Sequence, residues 1–141
     1  MIVICEFDSN TEVPELITKY GYEPDSVLHI TKGKEYRVYV MISWIVVRSE
    51  TPSLHYIIRD DLSGISTYNA MLFKIVNSKL STVDWHFDFK KGRMAFIDFI
   101  LGYDEFVNNE GHYNSALLGD EPGCSALSKW CDLIDNLEKA T

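Results

Sequence analysis

The chain has no C-x-x-C pair, no glycine-rich phosphate loop, no G-x-S-x-G elbow and no H-E-x-x-H helix. The short motifs that carry nucleotide binding, hydrolase chemistry and zinc chemistry are therefore missing. Its three cysteines, Cys5, Cys124 and Cys131, are an odd number. The last two lie on what reads as one helix, roughly 10 Å apart along its axis, which is too far for a bridge. Unpaired thiols without an export signal predict a reducing compartment, the cytoplasm. The apolar run Ile2, Val3, Ile4 is too short for a signal-peptide core and has no basic residue before it. No run is long enough to span a membrane.

Basic residues are also sparse, and their distribution says more than the net charge of -8. Residues 1–28 carry six acids against Lys19, and residues 91–141 carry nine acids against four bases. Residues 29–90 carry eight bases and six acids. Two acidic flanks disfavour nucleic acid and anionic membrane as partners, and they speed encounter with a basic protein. An acidic coat that serves solubility alone is the other reading.

With 141 residues, 46% of them hydrophobic, the chain is long enough for one domain that buries its own core. Ile2 to Phe7 reads as a strand buried on both faces, and Val13, Leu16, Ile17 and Tyr20 have the spacing of a short amphipathic helix. Val27 to Ile30 reads as a brief strand. A long strand over Glu35–Ser43 alternates Tyr36, Val38, Val40 and Ile42 with Arg37, Tyr39 and Met41. Leu54–Arg59 and Ile65–Asn69 follow as a hairpin around Asp60–Gly64, with Gly64 available for positive φ. Ala70–Phe73 fits a single helical turn, and Lys74–Val76 gives another short strand. This is the pattern of an SH3-like antiparallel barrel, with Tyr36, Val38, Val40, Tyr56, Ile58, Leu72 and Phe73 as its core.

Thr82–Phe89 alternates sharply, placing Trp85, Phe87 and Phe89 on one face and Asp84, His86 and Asp88 on the other. Strand spacing puts the two aspartates about 13 Å apart, too far to share a metal ion. The expected role of that face is solvation. Tyr103, Phe106 and Val107 suggest a helical turn or two, His112–Leu118 a short helix with His112 at the surface, and Leu127, Trp130, Ile134 and Leu137 the stripe of a final helix beginning at an Asp120 cap. The predicted architecture is mainly β (α+β), one domain over residues 1–141. It has a barrel core over about 27–90, an N-terminal strand and short helix, and a helical C-terminal part over about 95–141.

The strings Thr31-Lys-Gly-Lys-Glu-Tyr-Arg-Val, Tyr56-Ile-Ile-Arg-Asp-Asp and Tyr68-Asn-Ala-Met-Leu-Phe-Lys-Ile-Val together resemble small bacterial SH3-like proteins of the toxin-immunity type. Asn69 stands where that pattern usually carries proline. The resemblance implies a cytoplasmic immunity protein that covers the active site of a cognate toxin, plausibly a basic nuclease, with no cofactor, no metal and no catalytic residue of its own. A general SH3-like interaction or ligand-sensing module is the alternative. The carboxylates expected to meet the partner come from the acidic C-terminal third: Asp98, Asp104, Glu105, Glu110, Asp120 and Glu121. Among them Asp104, Glu105 and Glu110 flank loop breaks, whereas Asp120 is expected to be occupied as a cap. Failing that, the acidic residues 6–25 or the exposed barrel rim around Tyr39 and Arg59 are the next candidates.

Overall fold

A long bent strand joins two antiparallel sheets. The computed structural model describes residues 1–8, 22, 26–44, 52–90 and 97–140. The expected helix over Val13–Tyr20 lies outside the described residues. The long strand runs as β2 (Glu35–Arg37) and β3 (Val40–Trp44), interrupted at Val38 and Tyr39. There the backbone changes sheets, the Val38 N–H bonding to Met1 O and the Tyr39 N–H to Ile57 O, both at 3.0 Å. In one sheet β2 pairs with β1 (Ile2–Cys5), which also pairs with β6 (Phe73–Asn77). In the other, β3 sits between β4 (Ser53–Arg59) and β8 (Ile97–Tyr103), with β5 (Ile65–Asn69) and β7 (Trp85–Phe89) at the edges.

These sheets of three and five strands do not close into the expected barrel. The chain is α+β, and β8 is the reason the simple meander fails. It inserts beside β3 and carries β7 with it, extending the larger sheet away from the smaller one. Val27–Ile30 forms no strand, although Ile30 is buried. A 3-10 turn over Ala70–Leu72 joins β5 to β6, as expected. Asn69 caps it by accepting the Met71 N–H at 2.9 Å, a bond that proline could not supply. In the Asp60–Gly64 loop the positive φ falls on Ser63 rather than on Gly64. Asp60 stabilises that loop by accepting from the Leu62 and Gly64 N–H groups and from the Ser66 and Tyr68 hydroxyls.

The larger sheet has a core on each face. Against the smaller sheet, Tyr36, Val38, Tyr56, Ile58, Leu72 and Phe73 pack with Val3 and Cys5, so the predicted core residues are buried; Val40 alone belongs to the other side. There Val40, Ile42, Ile57 and Ile100 meet three helices: α1 (Asp104–Asn108), α2 (Glu110–Leu117) and α3 (Gly123–Lys139). Leu127, Cys131 and Ile134 form the buried stripe of α3, while Leu137 lies outside it.

Charges clamp α3 onto the strands. Asp135 accepts the Tyr39 hydroxyl at 2.8 Å and lies 3.1 Å from Arg37, and Asp132 pairs with Arg59 at 2.6 Å. The Tyr39 ring is buried and Arg59 is engaged, so the expected exposed rim is instead a helix-docking surface. Among the described residues no helix is long and apolar enough to cross a membrane.

Candidate functional site

Where α1, α2 and the start of α3 converge, a cleft of about 360 Å³ opens, lined by Glu105, Asn109, Gly111, His112, Pro122, Gly123 and Ala126. Local sequence explains its shape. Asn109 ends α1 and caps α2, its side-chain oxygen accepting the His112 N–H at 3.1 Å. The chain returns through Gly119 in the left-handed region, at φ 76°, where a side chain would be strained. Gly123 then begins α3 against α2, its N–H donating to the Ser115 hydroxyl at 2.9 Å.

A Cβ at Gly123 would come within 2.6 Å of Ser115 Cβ and would also overlap the Ala116 backbone nitrogen. Gly123→Ala is therefore expected to lower stability. Better helix propensity returns at most about 1 kcal/mol. Overpacking against a backbone that cannot swing aside costs about 1–3 kcal/mol and wins. Thermal denaturation checks this, and wild-type stability would mean that the two helices part freely.

The six expected carboxylates separate into distinct roles. Glu105 lines the cleft, is half-buried and accepts the Trp130 indole N–H at 2.6 Å. Glu110 is exposed and sits between the lining residues Asn109 and Gly111, while Glu121 is exposed and precedes the lining residue Pro122. Of the six, Glu105 alone lines the cleft. Asp104 is exposed on α1, hydrogen-bonded to the Asn108 amide and 3.7 Å from His86 of β7. Asp120 does not cap α3 through its side chain. That helix starts after Pro122 with no side-chain cap, and it is Glu121 that accepts the Ser125 N–H, at 3.3 Å. Asp98 lies five strand residues from Tyr103, about 17 Å along β8, and is not part of the group.

His112 is not a surface residue. It is 6% exposed, and its Nε2 lies 2.7 Å from the Tyr103 hydroxyl. Burial lowers its pKa, with Glu105 acting weakly the other way, which favours the neutral ring. Composition and spacing give no sign of this residue, because its importance comes from the packing of Tyr103, Phe106 and Trp130 in the same helical core. The thiols offer no nucleophile. Burial raises Cys5 and Cys124 and pushes Cys131 up to about 12, the reverse of what a reactive thiolate needs. Among the described residues no three His, Cys, Asp or Glu side chains gather as a metal site.

What the site can do is accept positive charge. Its floor is concave and partly apolar, and its half-buried acid Glu105 is held by the Trp130 indole, while the exposed Glu110 and Glu121 adjoin lining residues in the chain. A lysine or arginine side chain fits that chemistry, its stem against Pro122 and Ala126 and its head at the acidic rim. No family model matches the chain, and no similar curated protein or solved structure was found.

Proposed function

We propose that this protein is an inhibitor that binds a basic protein, a cognate bacterial toxin domain with a nuclease-like positive surface, and neutralises it by covering its active site. The observation that carries this reading is a cleft lined by Glu105 within the acidic C-terminal third, with the exposed Glu110 and Glu121 next to its lining residues in the chain. A nuclease must present cations to phosphates, and a rigid acidic concavity meets the same cations. The strand order supports an SH3-like reading of the β part. One bent strand serves both sheets, β5 passes through a 3-10 turn into β6, and β6 returns to β1. The cytoplasmic setting follows from the same reading, since such a toxin acts there.

The test is a search of the neighbouring genes for a toxin domain, followed by measurement of binding to it. Asp104 and Glu110 are exposed, and neither holds a helix in place as Glu105 does. Asp104→Lys with Glu110→Lys is expected to weaken binding at least tenfold, mainly through slower association, and to reduce its salt dependence. The melting temperature should stay within about 2 °C, because exposed substitutions cost little. Unchanged affinity would remove Asp104 and Glu110 from the interface, and binding to unrelated proteins instead of the neighbouring toxin would favour a general interaction module.

A further inference from the structure

β7 is an edge strand of the larger sheet, and its aromatic side is uncovered. Phe87 is 50% exposed and Phe89 64% exposed, although the pairing Phe89↔Phe99 and Phe87↔Leu101 puts them on the face that, further along the sheet, packs against the smaller sheet. Their rings touch each other, with centroids 4.8 Å apart, and Phe87 also meets Phe99 at 5.3 Å. An edge strand flanked by exposed aromatics is a template for pairing with another strand.

The ladder says which backbone groups are available. Lys90 N–H donates to Asp98 O at 2.8 Å, which makes this a hydrogen-bonded pair one step beyond Phe89↔Phe99. Antiparallel alternation then turns the N–H and C=O groups of His86 and Asp88 toward β8, and those of Trp85, Phe87 and Phe89 outward. A two-fold axis through Phe87 would match Trp85 with Phe89 of a second copy and Phe87 with itself, at positions where the outward groups can bond.

The side chains agree with this register. Residues 84, 86, 88 and 90 read Asp, His, Asp, Lys. Antiparallel self-pairing about Phe87 sets His86 opposite Asp88 in both directions, whereas Lys90, which this register places opposite Asp84, is buried with its ammonium 3.0 Å from Asp88 of its own strand. Pairs that do not share hydrogen bonds bring their side chains closest, where an imidazole N–H can donate to the facing carboxylate. Pairing in the parallel sense would instead place like residues side by side. We propose that the protein forms a two-fold symmetric homodimer through β7, making one continuous sheet of ten strands with a shared aromatic patch. The alternation at Asp84, His86 and Asp88 thereby acquires a role as a self-recognition pattern.

Sedimentation equilibrium of the whole chain tests this, with a concentration-dependent dimer expected. His86→Glu sets acid against acid across the axis, and Asp88→Lys sets base against base. Each alone is expected to weaken the dimer about tenfold or more. Mixed in equal amounts the two variants should form a heterodimer with affinity near that of wild type. On one side of the axis the carboxylate introduced by His86→Glu then faces the ammonium introduced by Asp88→Lys, and on the other side an unchanged His86 faces an unchanged Asp88. The mixing step needs no assumption about how either substitution affects its own monomer. Phe87→Pro, which removes an outward N–H while sparing the bonds to β8, should abolish the dimer. A wild-type monomer at every concentration would overturn the proposal, as would a dimer that Phe87→Pro leaves intact or single variants whose mixture shows no gain.

Discussion

Phe73→Ala should destabilise the protein by about 3–5 kcal/mol, measured as a lowered urea midpoint with an unchanged slope. Phe73 begins β6 at the point where the 3-10 turn delivers the chain to the smaller sheet, and its ring is only 9% exposed. Three tyrosines surround it, Tyr36 at 6.0 Å, Tyr56 at 6.1 Å and Tyr68 at 6.4 Å between ring centroids. Two of those contacts are edge-to-face, the arrangement that adds to simple burial. Each tyrosine comes from a different strand, so a hole at Phe73 is lined by β2, β4 and β5 at once and cannot collapse by moving one of them. Tyr36 and Tyr68 are further fixed by hydrogen bonds to Asp61 and Asp60, which limits relaxation. Phe73→Leu keeps most of the volume and should cost less than about 1.5 kcal/mol. A loss below about 1 kcal/mol for the alanine variant would mean that the two sheets are not packed through this ring.

The residues that fill this core can be read from the chain because period-two alternation and turn chemistry are local. Tyr36, Val38, Tyr56, Ile58, Leu72 and Phe73 are identifiable without any knowledge of partners. The arrangement is not, and β8 shows why. Ile97-Asp-Phe-Ile-Leu-Gly-Tyr has almost no alternation, since Ile100 faces the helices while Phe99 and Leu101 face the opposite side, and such a run is ambiguous between strand and helix. Missing it leaves a meander that looks closable. The candidate site is half legible in the same sense. Composition picks out the acidic pool, but it cannot tell that Asp98 stands at the far end of β8, that Glu105 is tied to Trp130, or that Glu121 rather than Asp120 meets the first turn of α3. Those distinctions come from contacts between residues 25 or more apart in the chain, or from cap geometry that depends on where the helix begins. Tyr39 is hard to place for a similar reason: its strand phase points outward, but its partner Asp135 lies 96 residues later.

Tyr103→Ala is expected to be as damaging as Phe73→Ala, at about 3–5 kcal/mol, and for a reason specific to the helical half. The Tyr103 ring stacks on Trp130 with centroids 4.5 Å apart and planes 15° apart, and it meets Phe106 edge-on at 5.7 Å. Its hydroxyl bonds His112 Nε2, so truncation opens a cavity and deprives a buried imidazole of its partner. Tyr103→Phe separates the two effects. It keeps the stack and removes only the hydroxyl, and an unpaired buried nitrogen should cost about 1–3 kcal/mol. The pH dependence has a definite sign. Burial depresses the folded pKa of His112, with Glu105 offsetting part of the shift, whereas in the unfolded chain the group titrates near 6.5. The stability it contributes is thus present above about pH 6.5 and is lost as pH falls through the lower folded value. His55, also depressed by burial, acts in the same direction. His112→Gln should therefore flatten part of the acid-side loss and leave the share due to His55; an unchanged profile would mean that folding does not shift the proton equilibrium of His112. Because His112 lines the cleft, Tyr103→Ala should reduce stability and partner binding together, while Asp104→Lys with Glu110→Lys reduces binding alone. That difference separates a platform that merely holds the helices from a surface that meets the proposed partner.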